Sequence, residues 1–160
     1  MGKVAVYAGS FDPFTNGHLS IVKEASEVFD RVFICIAQNS DKKRFIDGNI
    51  MGSAITSCLD SYGIYNCVVI SHKGMIADFC KEHNVDYLVR GLRNTSDYLY
   101  EENIAKINYE LNPNLKTIYF RATDETVSSS MVREFIKYDK PINKYVPKEI
   151  LEVLEYHMEN

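Results

Sequence analysis

The chain has 160 residues, of which 46% are hydrophobic, 25% charged and 12% aromatic, the balance of one ordinary globular domain rather than two. At this length a folded chain hides roughly 68–70% of the surface its unfolded form exposes, so a core can form without disulfide staples. Eighteen Lys and Arg against 22 Asp and Glu leave a formal net charge of −4, the wrong sign for a general binder of nucleic acid or anionic membrane. An anionic ligand therefore has to be met by a local basic cluster.

In chain order, short apolar runs alternate with amphipathic stretches. The run Val4–Ala8 is followed by a helical pattern over Gly17–Phe29, then Val32–Ala37, a weaker helix around Ile50–Leu59, and Cys67–Ile70. A helix over Ile76–His83, the run Tyr87–Val89, a helix over Ser96–Leu111 and the run Thr117–Phe120 come next. Helices over Ser128–Tyr138 and Lys148–Met158 close the chain. The runs are continuously apolar rather than alternating, which predicts strands buried on both faces, as in a parallel sheet. The class that follows is α/β, five parallel strands joined by helical crossovers, with a helical C-terminal tail. No repeat, low-complexity tract or linker divides it, so residues 1–160 read as a single domain. In the last helix Glu149, Glu152, Glu155 and Glu159 form an acidic stripe opposite an apolar side, the pattern of a solvated face.

Cys35, Cys58, Cys67 and Cys80 form no C-x-x-C pair and no zinc-like grouping with histidine, and read as reduced, structural thiols. The first apolar run meets Gly9 after five residues, too short for a signal peptide or membrane span. Met1-Gly2 lacks the Ser or Thr at position 6 that myristoylation wants. A cytoplasmic protein is the expectation.

Ligands of open α/β sheets sit outside the carboxyl ends of the strands. Here the segments following the predicted strands are polar and cationic: Gly9 to His18, Gln38 to Arg44, Ser71 to Gly74, Arg90 to Arg93, and Thr123 to Ser130. A parallel sheet brings all five to one rim, locally basic on an acidic chain. In the first segment Asp12-Pro13 signals a turn, Asn16 is a good N-cap, and Gly17-His18 opens the first helix. His18 then lies in the first turn, where free N–H groups and about half an elementary charge favour phosphate. Gly17 leaves room for a bulky phosphate beside the backbone.

The block Gly-Ser-Phe-Asp-Pro-Phe-Thr-Asn-Gly-His resembles the nucleotidylyltransferase motif (H/T)-x-G-H, with Thr15 and His18 in its defining places. With Lys42, Arg90-Gly91-Leu92-Arg93 and Ser128-Ser129-Ser130 in similar order and spacing, nearly the whole chain resembles the bacterial phosphopantetheine adenylyltransferase family. The resemblance implies a single Rossmann-like domain and the transfer of an adenylyl group from ATP to 4′-phosphopantetheine, giving dephospho-coenzyme A and pyrophosphate. It places Ser10, Lys42 and Arg90 at the phosphate of phosphopantetheine, and Met75 and Ile76 along the pantetheine arm. It places Ser10, Phe11, His18, Gly91, Arg93, Glu101, Ser128, Ser129 and Ser130 around ATP, with His18, Lys42 and Arg93 as the catalytic set. It further implies Mg2+ carried with ATP rather than by protein ligands, coenzyme A as a product-type ligand, and a homohexamer.

The attacking phosphate monoester, with a second pKa near 6, is already largely dianionic at neutral pH, so the reaction requires no general base. Direct in-line attack without a covalent enzyme intermediate is the expectation. The task left to the protein is to hold two polyanions in line and to stabilise charge on the phosphoryl oxygens.

Two segments depart from the family pattern. Phe45 to Met51 replaces a helix-starting segment, and its Asp47-Gly48 is a turn signal, so the second helix is expected to begin late. Thr123 to Val127 replaces and shortens the segment that normally lies by the base. Two other readings therefore stand beside the first: a nucleotidylyltransferase acting on nicotinamide mononucleotide, a sugar phosphate or glycerol phosphate, and a nucleotide- or coenzyme-A-binding protein without turnover.

Overall fold

The computed structural model describes residues 2–39, 41–122 and 127–160. Five strands, β1 (Val4–Gly9), β2 (Arg31–Gln38), β3 (Cys67–Lys73), β4 (Tyr87–Leu92) and β5 (Lys116–Arg121), form one parallel sheet in the order β3-β2-β1-β4-β5. The six helices are α1 (Asn16–Val28), α2 (Gly48–Ser61), α3 (Ile76–Glu82), α4 (Thr95–Leu111), α5 (Ser129–Lys137) and α6 (Lys148–Glu159). No helix among the described residues is long and apolar enough to cross a membrane.

Alternation along the strands shows why both faces had to be apolar. Ala5 and Tyr7 of β1, with Val32, Ile34 and Ile36 of β2, join the core beneath α1, α2, α5 and α6. The intervening Val6, Ala8 and Cys35 point the other way, into a smaller core with Ala77, Phe79 and Cys80 of α3. All four cysteines are free, and burial pushes their thiols up to about 11 for Cys35 and Cys67 and about 12 for Cys58 and Cys80, the state of inert structural thiols.

At two helix starts the capping differs from the sequence expectation. The N-cap of α1 is Thr15, not Asn16, because a capping box closes over it. Helix α2 starts at Gly48 rather than late, since Asp47 accepts from the N–H groups of Asn49 and Ile50 (2.9 and 3.2 Å) and acts as cap instead of turn. Strand β4 also runs on through Arg90, Gly91 and Leu92, so the first three residues of that motif belong to the sheet and not to the loop beyond it. A side chain at Gly91 would meet Ile21 of α1 at 3.1 Å, so glycine there lets β4 and α1 approach.

Strand order reverses at β1: the chain builds outward to β2 and β3, then returns to place β4 on the other side. The carboxyl ends of β1 and β4 therefore part company at a switch point, where a ligand crevice is expected.

Candidate active site

At that switch point a cleft of about 350 Å3 opens between Ala8, Gly9 and Ser10 after β1, the first turn of α1, Arg90 and Gly91 of β4, and the start of α5. His18, Arg90 and Ser129, drawn from three separate motifs, line it together.

The capping box of α1 organises His18. The Thr15 backbone N–H donates to His18 Nδ1 at 3.0 Å, and the His18 backbone N–H reaches Thr15 Oγ1 at 3.4 Å. A backbone N–H has no alternative role, so Nδ1 is the acceptor and the proton of the neutral ring sits on Nε2. The ring stacks on Phe14 (5.5 Å, 28°) and meets the edge of Phe11 (5.0 Å, 90°), which fixes its orientation. Phe11 itself adopts φ 46°, a costly conformation for a bulky residue, held by a ring only 1% exposed. Burial first, then the charges of Arg93 and Arg90, lower the imidazole pKa to about 4. His18 is thus a neutral N–H donor at physiological pH.

The N–H of Asn16 is taken by Tyr145 O at 2.9 Å. Gly17 N–H is left as the first-turn amide with no partner among the described residues. Gly17 lines the cleft, and a side-chain carbon there would lie in ordinary contact with Thr15 Oγ1 (3.5 Å) and Val127 O (3.9 Å).

Both arginines of the cleft are paired. Arg90 grips Glu101 through Nε and Nη2, each at 2.7 Å, and donates from Nη1 to Ala8 O at 3.0 Å. Burial alone works against its charge, but the Glu101 bond and charge raise its pKa. Two of its five N–H groups remain for a ligand. Arg93, just before α4, bonds Asp97 in the first turn of that helix at 3.0 Å, and that bond holds the Asp97 carboxyl below its ordinary range.

At α5, Ser128 Oγ accepts from Met131 N–H (3.1 Å) as N-cap, Ser129 Oγ donates to Pro13 O (2.7 Å), and Ser130 Oγ accepts from Arg133 (3.2 Å). The hydroxyl hydrogens of Ser128 and Ser130 and the first-turn amides of α5 are what these serines can still offer an anion.

Ser10 is shared with a second cleft of about 590 Å3, whose walls include Lys42, Lys43, Arg44, Phe45, Arg133 and His157. The two are locked together by Asp12, 7% exposed, which accepts from the N–H groups of Phe45 (2.6 Å) and Ile46 (2.9 Å). This ties the loop carrying Lys42 to the motif turn, and Arg44 adds bonds to Ser10 O (2.7 Å) and Phe11 O (3.4 Å).

Of the residues singled out in the sequence, Ser10, Phe11, His18, Arg90, Gly91, Arg93, Glu101, Ser128 and Ser129 line the first cleft. Lys42 lies in the second, and Ser130 adjoins it through Arg133. Met75 and Ile76 stand at the start of α3 and line neither. Of the altered segment expected near the base, Thr123 to Val127, residues 123–126 lie outside the described residues, as does Ser40 in the second loop, while Val127 lines the first cleft. Sequence reading missed Tyr7, Asp97, Asp12 as a tie, Arg133 and His157. Arg93 precedes the helix that carries Asp97, so helical spacing did not signal that pair, and nothing in the sequence linked His157 to Lys42.

Comparison with known proteins supplies the family. The cytidylyltransferase-like family model matches residues 6–135. A phosphopantetheine adenylyltransferase from Vesicomyosocius okutanii is 38% identical over 160 residues, covering 99% of this chain and 100% of that protein. One from Streptococcus pyogenes serotype M2 is 38% identical over 156 residues, covering 96% and 94%. Among solved structures, the nicotinic acid mononucleotide adenylyltransferase of Plasmodium falciparum complexed with NaAD superposes with a TM-score of 0.69 at 17% identity, covering 98% of this chain and 96% of that one. That likeness establishes the shared fold.

Proposed function

Because the chain belongs to the phosphopantetheine adenylyltransferase family, within the cytidylyltransferase-like group, we propose that it transfers the adenylyl group of ATP to 4′-phosphopantetheine, yielding dephospho-coenzyme A and pyrophosphate. The observation that carries this reading is the pair of clefts meeting at Ser10, one presenting a neutral His18 donor and helix N-termini, the other presenting Lys42. ATP occupies the first cleft and the acceptor's phosphate the second. A dianionic phosphate oxygen attacks the α-phosphorus in line, the bond to the β-phosphate bridging oxygen breaks, and pyrophosphate leaves with that electron pair.

The Nε2–H of His18 donates to a non-bridging α-phosphoryl oxygen as charge grows there, with Gly17 N–H as a second donor. Arg93 and the start of α5 hold the departing phosphates, and Arg90, steadied by Glu101 in the first cleft, reaches toward the acceptor's phosphate where the two clefts share Ser10. Asp97 and Glu101 are committed to arginines, and among the described residues no three His, Cys, Asp or Glu side chains gather as metal ligands. Mg2+ carried with the nucleotide would be held by its phosphate oxygens and water and would supply charge neutralisation there. Coenzyme A binds as a product-type ligand, and the compartment is the cytoplasm. The exposed Leu99, Tyr100, Ile107 and Tyr109 of α4 support burial in a homo-oligomer, a hexamer by family, which light scattering tests.

The deciding experiment measures pyrophosphate release with each nucleoside triphosphate across phosphorylated acceptors. Turnover with ATP and phosphopantetheine is expected to exceed all other pairs. Preference for nicotinic acid or nicotinamide mononucleotide, a sugar phosphate or glycerol phosphate would overturn the acceptor, and saturable binding without turnover would overturn the enzyme.

A further inference from the structure

The second cleft holds positive charge that the protein leaves uncancelled. Arg44 directs its N–H groups to the carbonyl oxygens of Ile46 (2.8 Å), Ser10 and Phe11, and Arg133 bonds Asp12 O (2.6 Å) and Ser130 Oγ. Neutral oxygens fix a guanidinium in place without removing its charge. Lys42 and Lys43 add two ammonium groups with no ion pair among the described residues. Among the described residues the one acidic side chain in the lining, Asp12, already accepts two backbone N–H bonds and lies 3.8 Å from Arg44. In the first cleft, by contrast, each arginine faces its own carboxylate. Four cations against one carboxylate, on a chain of net charge −4, make the second cleft an anion seat.

The far end of the chain also reaches it. Helix α6 packs on α2 with Ile150 and Leu154 fully buried, and this anchoring brings His157 in its last turn to the same cleft. There the imidazole meets the Phe45 ring edge-on at 4.7 Å, a contact that orients it over the loop bearing Lys42. An imidazole has an N–H for a phosphate oxygen whether neutral or protonated.

We propose that His157 binds the acceptor's phosphate, so that the C-terminal helix is part of the substrate site. This rests on the adenylyl-transfer reading above. Calorimetric titration of wild type, His157→Ala and His157→Lys with 4′-phosphopantetheine, with pantetheine lacking the phosphate, and with inorganic phosphate tests it. His157→Ala is expected to weaken phosphopantetheine about 5–20-fold, to leave pantetheine within about twofold, and to be rescued by His157→Lys, which restores an N–H donor. His157 is exposed, and thermal melts of the variants should match wild type. No loss, or an equal loss for both pantetheine compounds, would overturn the proposal, the second outcome marking mere packing on Phe45. His157-dependent binding of inorganic phosphate, in a wild type that ignores phosphopantetheine, would uphold the anion seat and overturn the acceptor reading alone.

Discussion

Acidification should destabilise the protein through His18 by an amount that its surroundings set. The imidazole titrates at about 4 in the fold and at about 6.5 in an unfolded chain, so between those values the unfolded state binds more protons. Stability attributable to this group therefore rises with pH across that window. It is fully present above about 6.5 and lost as pH falls to about 4. At ~1.36 kcal/mol per decade the ceiling is ~3 kcal/mol, and the ring's partial opening into the cleft lowers the realised value. Carboxylates titrate in the same window, so the measurement has to be a difference. His18→Gln removes the titration yet keeps the capping box, because glutamine at the third helical position can also reach back to the N-cap N–H. Urea denaturation of both proteins from about pH 4 to about pH 7 should show wild type losing ~2–3 kcal/mol relative to the variant. Parallel curves would refute the reasoning, since the site would then not be holding the imidazole neutral.

His18→Ala should lower kcat by on the order of 10²–10³ with the fold retained, because one transition-state donor is lost; unchanged turnover removes His18 from the chemistry. Arg90→Lys should raise the KM for phosphopantetheine and lower the melting temperature, since a point charge cannot reproduce the two-pronged grip on Glu101. Equal KM values in variant and wild type would count against that contact. Asp12→Asn retains one acceptor oxygen for two amides, so a stability loss of ~1–3 kcal/mol in urea is expected, with the KM for phosphopantetheine rising more than that for ATP. Equal changes in the two KM values would mean that Asp12 does not position the Lys42 loop.

The order and type of every helix and strand were legible because strands buried on both faces and amphipathic helices leave different apolar periods. Boundaries were less so, because a cap is chosen by geometry. Thr15 and Asn16 are both acceptable N-caps by type, and only the bond between Thr15 N–H and His18 Nδ1 decides between them. Asp47-Gly48 carries a turn signal and a helix-cap signal at once. The motif residues converge on one cleft as the parallel rim implies, but their pairing was hidden. Arg90 and Glu101 are 11 residues apart and meet only because α4 folds back over β4. The uncancelled charge belongs to the second cleft for the same reason: which cations keep their charge depends on partners that only the fold supplies.

Thr15 and His18 also bind together two events that could otherwise be separate. Fraying of the first turn of α1 would free the imidazole to exchange tautomers and swing off Phe14 while the sheet beneath stayed whole. Heat should therefore silence turnover some degrees before the domain melts, and a ligand phosphate clasped at that turn would delay the silencing more than the melting.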